Sequence, residues 1–145
     1  MKIIVVEPGK TPYKKDIEQT LKAMQETVGG YIEAVYPWDD PVALVCDEEG
    51  KLTGKQANRC LRDKDGRVVD IMCGTFFLAG IGEEDFTDIP GELEAKYLSK
   101  FEPVEEFIRI GGSVFVSAYK DGKCVRFMEE IISGKKTRSR KAKRA

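Results

Sequence analysis

The chain has no histidine among its 145 residues. That absence removes the commonest general base and the commonest metal-ligating side chain at neutral pH. Ser-His-Asp and Cys-His catalysis go with it, as do zinc sites that include histidine. No stretch approaches the roughly 20 apolar residues of a membrane-spanning helix. The opening apolar run, Ile3 to Val6, is too short for a secretory signal and reads as a first strand, so a cytoplasmic protein is expected. Cys46, Cys60, Cys73 and Cys124 stand far apart with no CxxC pair, which predicts free, mostly buried thiols rather than disulfides or zinc. Nothing in the composition calls for a cofactor or a resident metal.

Net charge is also small, at −1, but it hides a split. From Gly134 to Ala145 the chain carries Lys135, Lys136, Arg138, Arg140, Lys141, Lys143 and Arg144 and no acid. Taking these seven from 24 basic residues leaves 17 against 25 acids, so the body stands near −8 and the tail at +7. Such a run reads as a solvated, flexible tail attached to one globular domain over residues 1–133. Its cations are also the candidates for phosphate contacts with nucleic acid, although a body of −8 repels the same polyanion.

What is present is organised around Gly29 to Cys46. A glycine pair leads into Tyr31–Tyr36, whose side chains alternate with period 2. Two prolines then bracket Trp38, Asp39 and Asp40 in a stiff turn, and the single tryptophan of the chain sits there. Val42 to Cys46 follows, apolar without alternation, as suits a strand covered on both faces.

Elsewhere, Asp16 with Gln19 resembles a capping box, and Ile17, Leu21, Met24 and Val28 recur at helical spacing, so a helix is predicted over 17–28 and ended by Gly29. Gly9-Lys10-Thr11 is no phosphate-binding loop, because Ile4 stands where the first glycine belongs and Pro12 where the helix should start. Asp63-Lys64-Asp65-Gly66 is a turn rather than a calcium loop, since no glutamate closes it. Residues 52–61 have no clear period, yet they concentrate Lys55, Gln56, Asn58 and Arg59, with Arg62 just beyond. Residues 68–79 read as one central strand interrupted at Gly74. A second helix over 91–101 buries Leu93, Tyr97 and Phe101. Gly111-Gly112 and Asp121-Gly122 then join strands at 107–110, 113–119 and 123–128 into an antiparallel meander. The expected class is α+β: one mostly antiparallel sheet, two helices on one face, and the basic tail.

Val28-Gly29-Gly30-Tyr31-Ile32-Glu33, Tyr36-Pro37-Trp38-Asp39-Asp40-Pro41, Asn58-Arg59 and Gly74-Thr75-Phe76-Phe77 together resemble a domain-of-unknown-function family carried by phages and conjugative elements of Gram-positive bacteria. The resemblance spans about residues 1–110 and implies a small accessory role in a bacterial host cell. It carries no established reaction. The function expected is therefore a non-enzymatic binding protein, a counter-defence accessory that sequesters a nucleotide-type signal or a host immune protein. Alternatives are a nucleic-acid-binding protein using the tail and a Mg²⁺-assisted phosphodiesterase drawing on Asp39 and Asp40. For a ligand, the candidate residues are Tyr31, Trp38, Asn58, Arg59, Arg62 and the backbone at Gly74-Thr75: aromatic faces for stacking, an arginine fork for phosphate or carboxylate, and glycine for close approach.

The tail has no apolar residue beyond two alanines to repay its ordering. Deleting residues 135–145 is expected to leave the melting temperature within about 2 °C of the full chain. A large drop in a thermal melt would show that the tail packs on the acidic body.

Overall fold

The computed structural model describes residues 1–132, so the basic tail and its seven candidate cations lie outside the described residues. The β-branched opening forms β1 (Lys2–Val6). A turn with Gly9 at φ 75° sends the chain back as β2 (Tyr13–Asp16), which pairs antiparallel with β1 from Val5↔Tyr13 to Lys2↔Asp16. Asp16 is therefore a strand residue and not a helix cap. Helix α1 (Leu21–Val28) starts later than its apolar spacing predicts, because Thr20 supplies the cap by accepting the Ala23 N–H at 3.1 Å. Ile17 still packs beneath it. Gly29 ends the helix in the left-handed region, at φ 74°.

The stiff proline turn joins β3 (Ile32–Val35) to β4 (Val42–Asp47). The stretch without a clear period contains a further strand, β5 (Ala57–Arg62). The expected central strand over 68–79 is two strands, β6 (Val68–Cys73) and β7 (Phe76–Ile81), and they belong to different sheets. Gly74, at φ 82°, makes the change of direction between them. There follow the short β8 (Phe86–Thr87), a 3-10 turn at Gly91–Leu93, α2 (Glu94–Phe101), and the meander β9 (Val104–Ile110), β10 (Ser113–Lys120) and β11 (Lys123–Ile131).

The mixed α+β character holds with strands dominating, but the expectation of one sheet with both helices on one face is corrected. Among the described residues there are eleven strands and two α-helices of eight residues each. The strands form three antiparallel sheets: one in the order β2-β1-β7-β4-β3 with β8 beside β7, the meander β11-β10-β9, and the hairpin β5-β6. The helices do not share a face of the large sheet. Along β4, Val42, Leu44 and Cys46 point into one core with Tyr97 and Phe101 of α2, while Ala43 and Val45 point into a second with Val28 and Met24 of α1. Two faces to cover explain why β4 and β7 are apolar at every buried position. Against the α2 face the β5-β6 hairpin adds Leu61, Val69 and Met72, and a third small core lies between that hairpin and the meander at Cys60, Val116 and Ile131.

At Gly80, where β7 meets β8, an added Cβ would lie 2.2 Å from the Asp88 carbonyl oxygen. Backbone cannot swing aside as a side chain can, so Gly80→Ala is expected to cost about 2–4 kcal/mol. Urea unfolding reads this directly, and an unchanged midpoint would mean that the 86–88 segment yields freely.

Candidate functional site

The site is built on Arg59. Its side chain is only 1% exposed, and it reaches back from β5 toward the end of α2. Nε and Nη2 donate to the Phe101 carbonyl at 3.1 and 2.9 Å, and Nη2 donates again to the Lys10 carbonyl at 2.7 Å. Nη1 donates to Asn58 Oδ1 at 2.8 Å and to the Asn58 carbonyl at 3.3 Å. All five guanidinium N–H groups are occupied. The Phe101 carbonyl is at the C-terminal end of α2, where the helix dipole favours a cation. Burial lowers the pKa of Arg59 to about 10, which leaves it charged at neutral pH. Asn58, fully buried, carries the network onward by donating from Nδ2 to the carbonyls of Val6 and Gly74, both at 2.9 Å. Asn58 and Arg59 therefore tie β5 to β1, to the turn after it, to the β6–β7 link and to α2.

Above Arg59 opens a cleft of about 440 Å³ between the β5-β6 hairpin, the end of α2 and the meander. Arg59, Arg62, Lys64, Lys100 and Arg126 line it with only Asp63 and Glu105 as acids, beside the rings of Trp38 and Phe101. Arg62 grips Glu129 with two bonds of 2.9 and 2.7 Å, and these hold the Glu129 carboxyl below its ordinary range. Glu105, buried, accepts the Cys60 N–H at 2.6 Å and Arg126 Nη2 at 3.2 Å. Burial and the Glu105 charge push the Cys60 thiol up to about 12, so it stays protonated and unreactive.

Trp38 forms the rim. Its ring lies 4.9 Å from Tyr97 and 6.1 Å from Phe101, and Lys100 Nζ stands 5.9 Å from its centroid. The proline turn is pinned from below, where Asp40 Oδ2 accepts from Tyr97 Oη at 2.7 Å and from Lys96 Nζ at 2.6 Å. Asp39 pairs with Lys64 at 3.1 Å across the cleft mouth, with both side chains exposed. The two carboxylates of this turn thus serve different lysines instead of converging on one point.

Of the residues expected at a ligand site, Trp38, Arg59 and Arg62 line the cleft, and Asn58 supports Arg59 from behind. Tyr31, Gly74 and Thr75 do not line it. Tyr31 is 69% exposed just before β3, and Thr75 is half-buried in the β6–β7 link. The close approach at Gly74 is made by the protein itself, since an added Cβ would lie 2.8 Å from Lys55 Cδ. Lys55 runs past it to donate to the carbonyls of Val28 and Gly29, both at 2.9 Å, and to pair with Asp47 Oδ2 at 2.6 Å. At Gly30 an added Cβ would meet that same Asp47 carboxylate at 2.7 Å. Gly29 and Gly74 make room for an ammonium that caps α1, and Gly30 for the carboxylate that pairs with it. The sequence reading missed Lys64, Lys100, Glu105, Arg126 and Glu129. Lys100 carried a signal, since it sits next to the buried Phe101 on a short amphipathic helix; the others come from turns and strands that only the fold brings together.

The chain belongs to a family described as a domain of unknown function, DUF3846, which matches residues 1–102. That match ends with α2, so the cleft straddles its border: Trp38, Arg62 and Lys100 lie inside the matched region, while Glu105 and Arg126 lie beyond it. No curated protein and no solved structure matches the chain. No helix of the described residues is long and apolar enough to cross a membrane.

Two outcomes follow from this network. Arg59→Ala strands several buried acceptors and is expected to cost about 3–4 kcal/mol in chemical denaturation; a variant as stable as the parent would contradict the hub role. Because Arg62 depresses Glu129 below the ordinary value of 4.5, the unfolded chain binds the extra proton as pH falls. The stabilisation from this pair is complete above about pH 4.5 and is lost below it. The urea midpoint should fall between pH 6 and pH 3, and Glu129→Gln should shrink that fall; equal falls in both proteins would remove Glu129 as a cause.

Proposed function

We propose that this protein is a non-enzymatic binding protein whose cleft captures a small anionic ligand of nucleotide type. The observation that carries the reading is the concentration of five cations against two carboxylates in one concave cleft of about 440 Å³, rimmed by the single tryptophan of the chain. That volume suits a small molecule rather than a flat protein surface. Aromatic rings take bases by stacking, and cations in a shielded cleft take phosphate. A binding role fits the state of the reactive groups in the cleft and in the turn that rims it. Glu105 is committed to an N–H and an arginine, Cys60 is held protonated, and Asp40 is held by Lys96 and Tyr97. In this reading the mobile-element setting implied by the Gly29–Pro41 motifs gives the binder its use, which is sequestering a host signal in the cytoplasm of the infected or recipient cell.

Titration calorimetry against a panel of mono- and dinucleotides tests the proposal. At least one member should bind, and Trp38→Ala should weaken it by about 1–3 kcal/mol while the melt stays cooperative. Silence across the panel overturns the reading.

A further inference from the structure

We propose that the cleft is built for a ligand carrying a single phosphate monoester, with Lys100 as the residue that takes it. This inference rests on the nucleotide reading of the cleft and specifies the ligand's charge. Most charges around the cleft already have an opposite partner. Arg62 is matched by Glu129 at 2.7 Å, Arg126 by Glu105 at 3.2 Å, Lys64 by Asp39 at 3.1 Å, and Asp63 is matched by Arg67 at 3.6 Å. Two lining cations remain. Arg59 donates only to neutral oxygens and feels Glu105, already paired with Arg126, at longer range; Lys100 makes no ion pair among the described residues and feels Asp40, already paired with Lys96. The two cations are adjacent, because Arg59 binds the carbonyl of Phe101, the residue after Lys100.

The two charges differ in what they can offer. Arg59 has no N–H left to donate, so it contributes a fixed positive field from beneath the cleft. Lys100 offers an ammonium with its donors open, beside the Trp38 ring. Lys100 is exposed, so a ligand can reach it; partial desolvation and the nearby Lys96 lower its pKa from the ordinary value, against an opposing pull from Asp40. A dianionic monoester matches a surplus of two positive charges and one free donor group. A triphosphate brings about two further negative charges, which would have to displace Glu105, Glu129 or Asp39 from partners they already hold. The planar ring of the ligand belongs on Trp38, and the phosphate at the α2 end.

The test is calorimetry of the full chain with adenosine, AMP, ADP and ATP at one low salt concentration without Mg²⁺, alongside Lys100→Met and Lys100→Arg. AMP should bind at least about tenfold tighter than adenosine and about tenfold tighter than ATP. Lys100→Met should lower AMP affinity about tenfold more than it lowers adenosine affinity while leaving the melting temperature unchanged, and Lys100→Arg should restore part of the AMP advantage. Binding of ATP as tight as that of AMP, or an equal loss for AMP and adenosine in Lys100→Met, overturns this inference but leaves the nucleotide reading standing. Failure of all four to bind, together with silence across the wider nucleotide panel, overturns both.

Discussion

A single buried guanidinium holds the two halves of this molecule in register. Arg59 leaves its strand to bind the last turn of α2 and the turn after β1, and Asn58 extends the connection to β1 and to the β6–β7 link. Removing a charge from water is costly, and it is tolerated here because every donor meets a carbonyl or amide oxygen and because a helix C-terminus faces the charge. An apolar side chain of similar size would fill the space without fixing any of these geometries. The hydrogen-bond pattern accepts only one arrangement of hairpin, helix and sheet, and the floor of the cleft is that arrangement.

A second unit, centred on a lysine, does the same work on the opposite side of the sheet. Lys55 closes the end of α1 and pairs with Asp47; Gly29 and Gly74 yield the space Lys55 occupies, and Gly30 the space of the Asp47 carboxylate. Both units place a cation against helix-end carbonyls, and both helices are only eight residues long. Helices so short are marginal in isolation, and their stability comes from packing and from their ends. A mainly β body thus keeps two small helices on its two faces by fastening the C-terminal turn of each.

The cleft arises where three sheets fail to merge. The β5-β6 hairpin packs under α2 on one side and against the meander on the other, through the small core at Cys60, Val116 and Ile131. Arg62, Arg126, Glu105 and Glu129 seal that junction as a four-membered network in which each arginine pairs with both glutamates. Being matched in sign, they form a neutral wall, and the net positive character of the cleft falls to Arg59 and Lys100 at the α2 end. The meander lies beyond the family match, so the wall it contributes belongs to the part of the chain outside that match.

Local signals in the sequence determined much of the frame. The unbroken apolar run Val42–Cys46 is a central strand, Gly29 ends its helix, and Gly111-Gly112 and Asp121-Gly122 make the tight turns of the meander, with positive φ at all four positions. Each of these depends on period or on a turn conformation that neighbouring residues dictate. Where two local signals competed, tertiary pairing chose: Asp16 resembles a helix cap, yet β1 claims it as a strand partner. The site was legible only in part. Trp38 stood out because two prolines stiffen its turn, and Asn58-Arg59 because they are polar in an otherwise featureless stretch. Nothing local said that Arg59 is buried, since its acceptors at Lys10 and Phe101 lie 49 and 42 residues away. Nor could the sequence assign Gly74 to a lysine instead of a ligand, or gather Lys100, Glu105 and Arg126 around one cleft. Periodicity reports which side of an element faces the core, whereas the partner of a buried polar group is set by which distant backbone oxygens the folded chain brings within hydrogen-bonding distance.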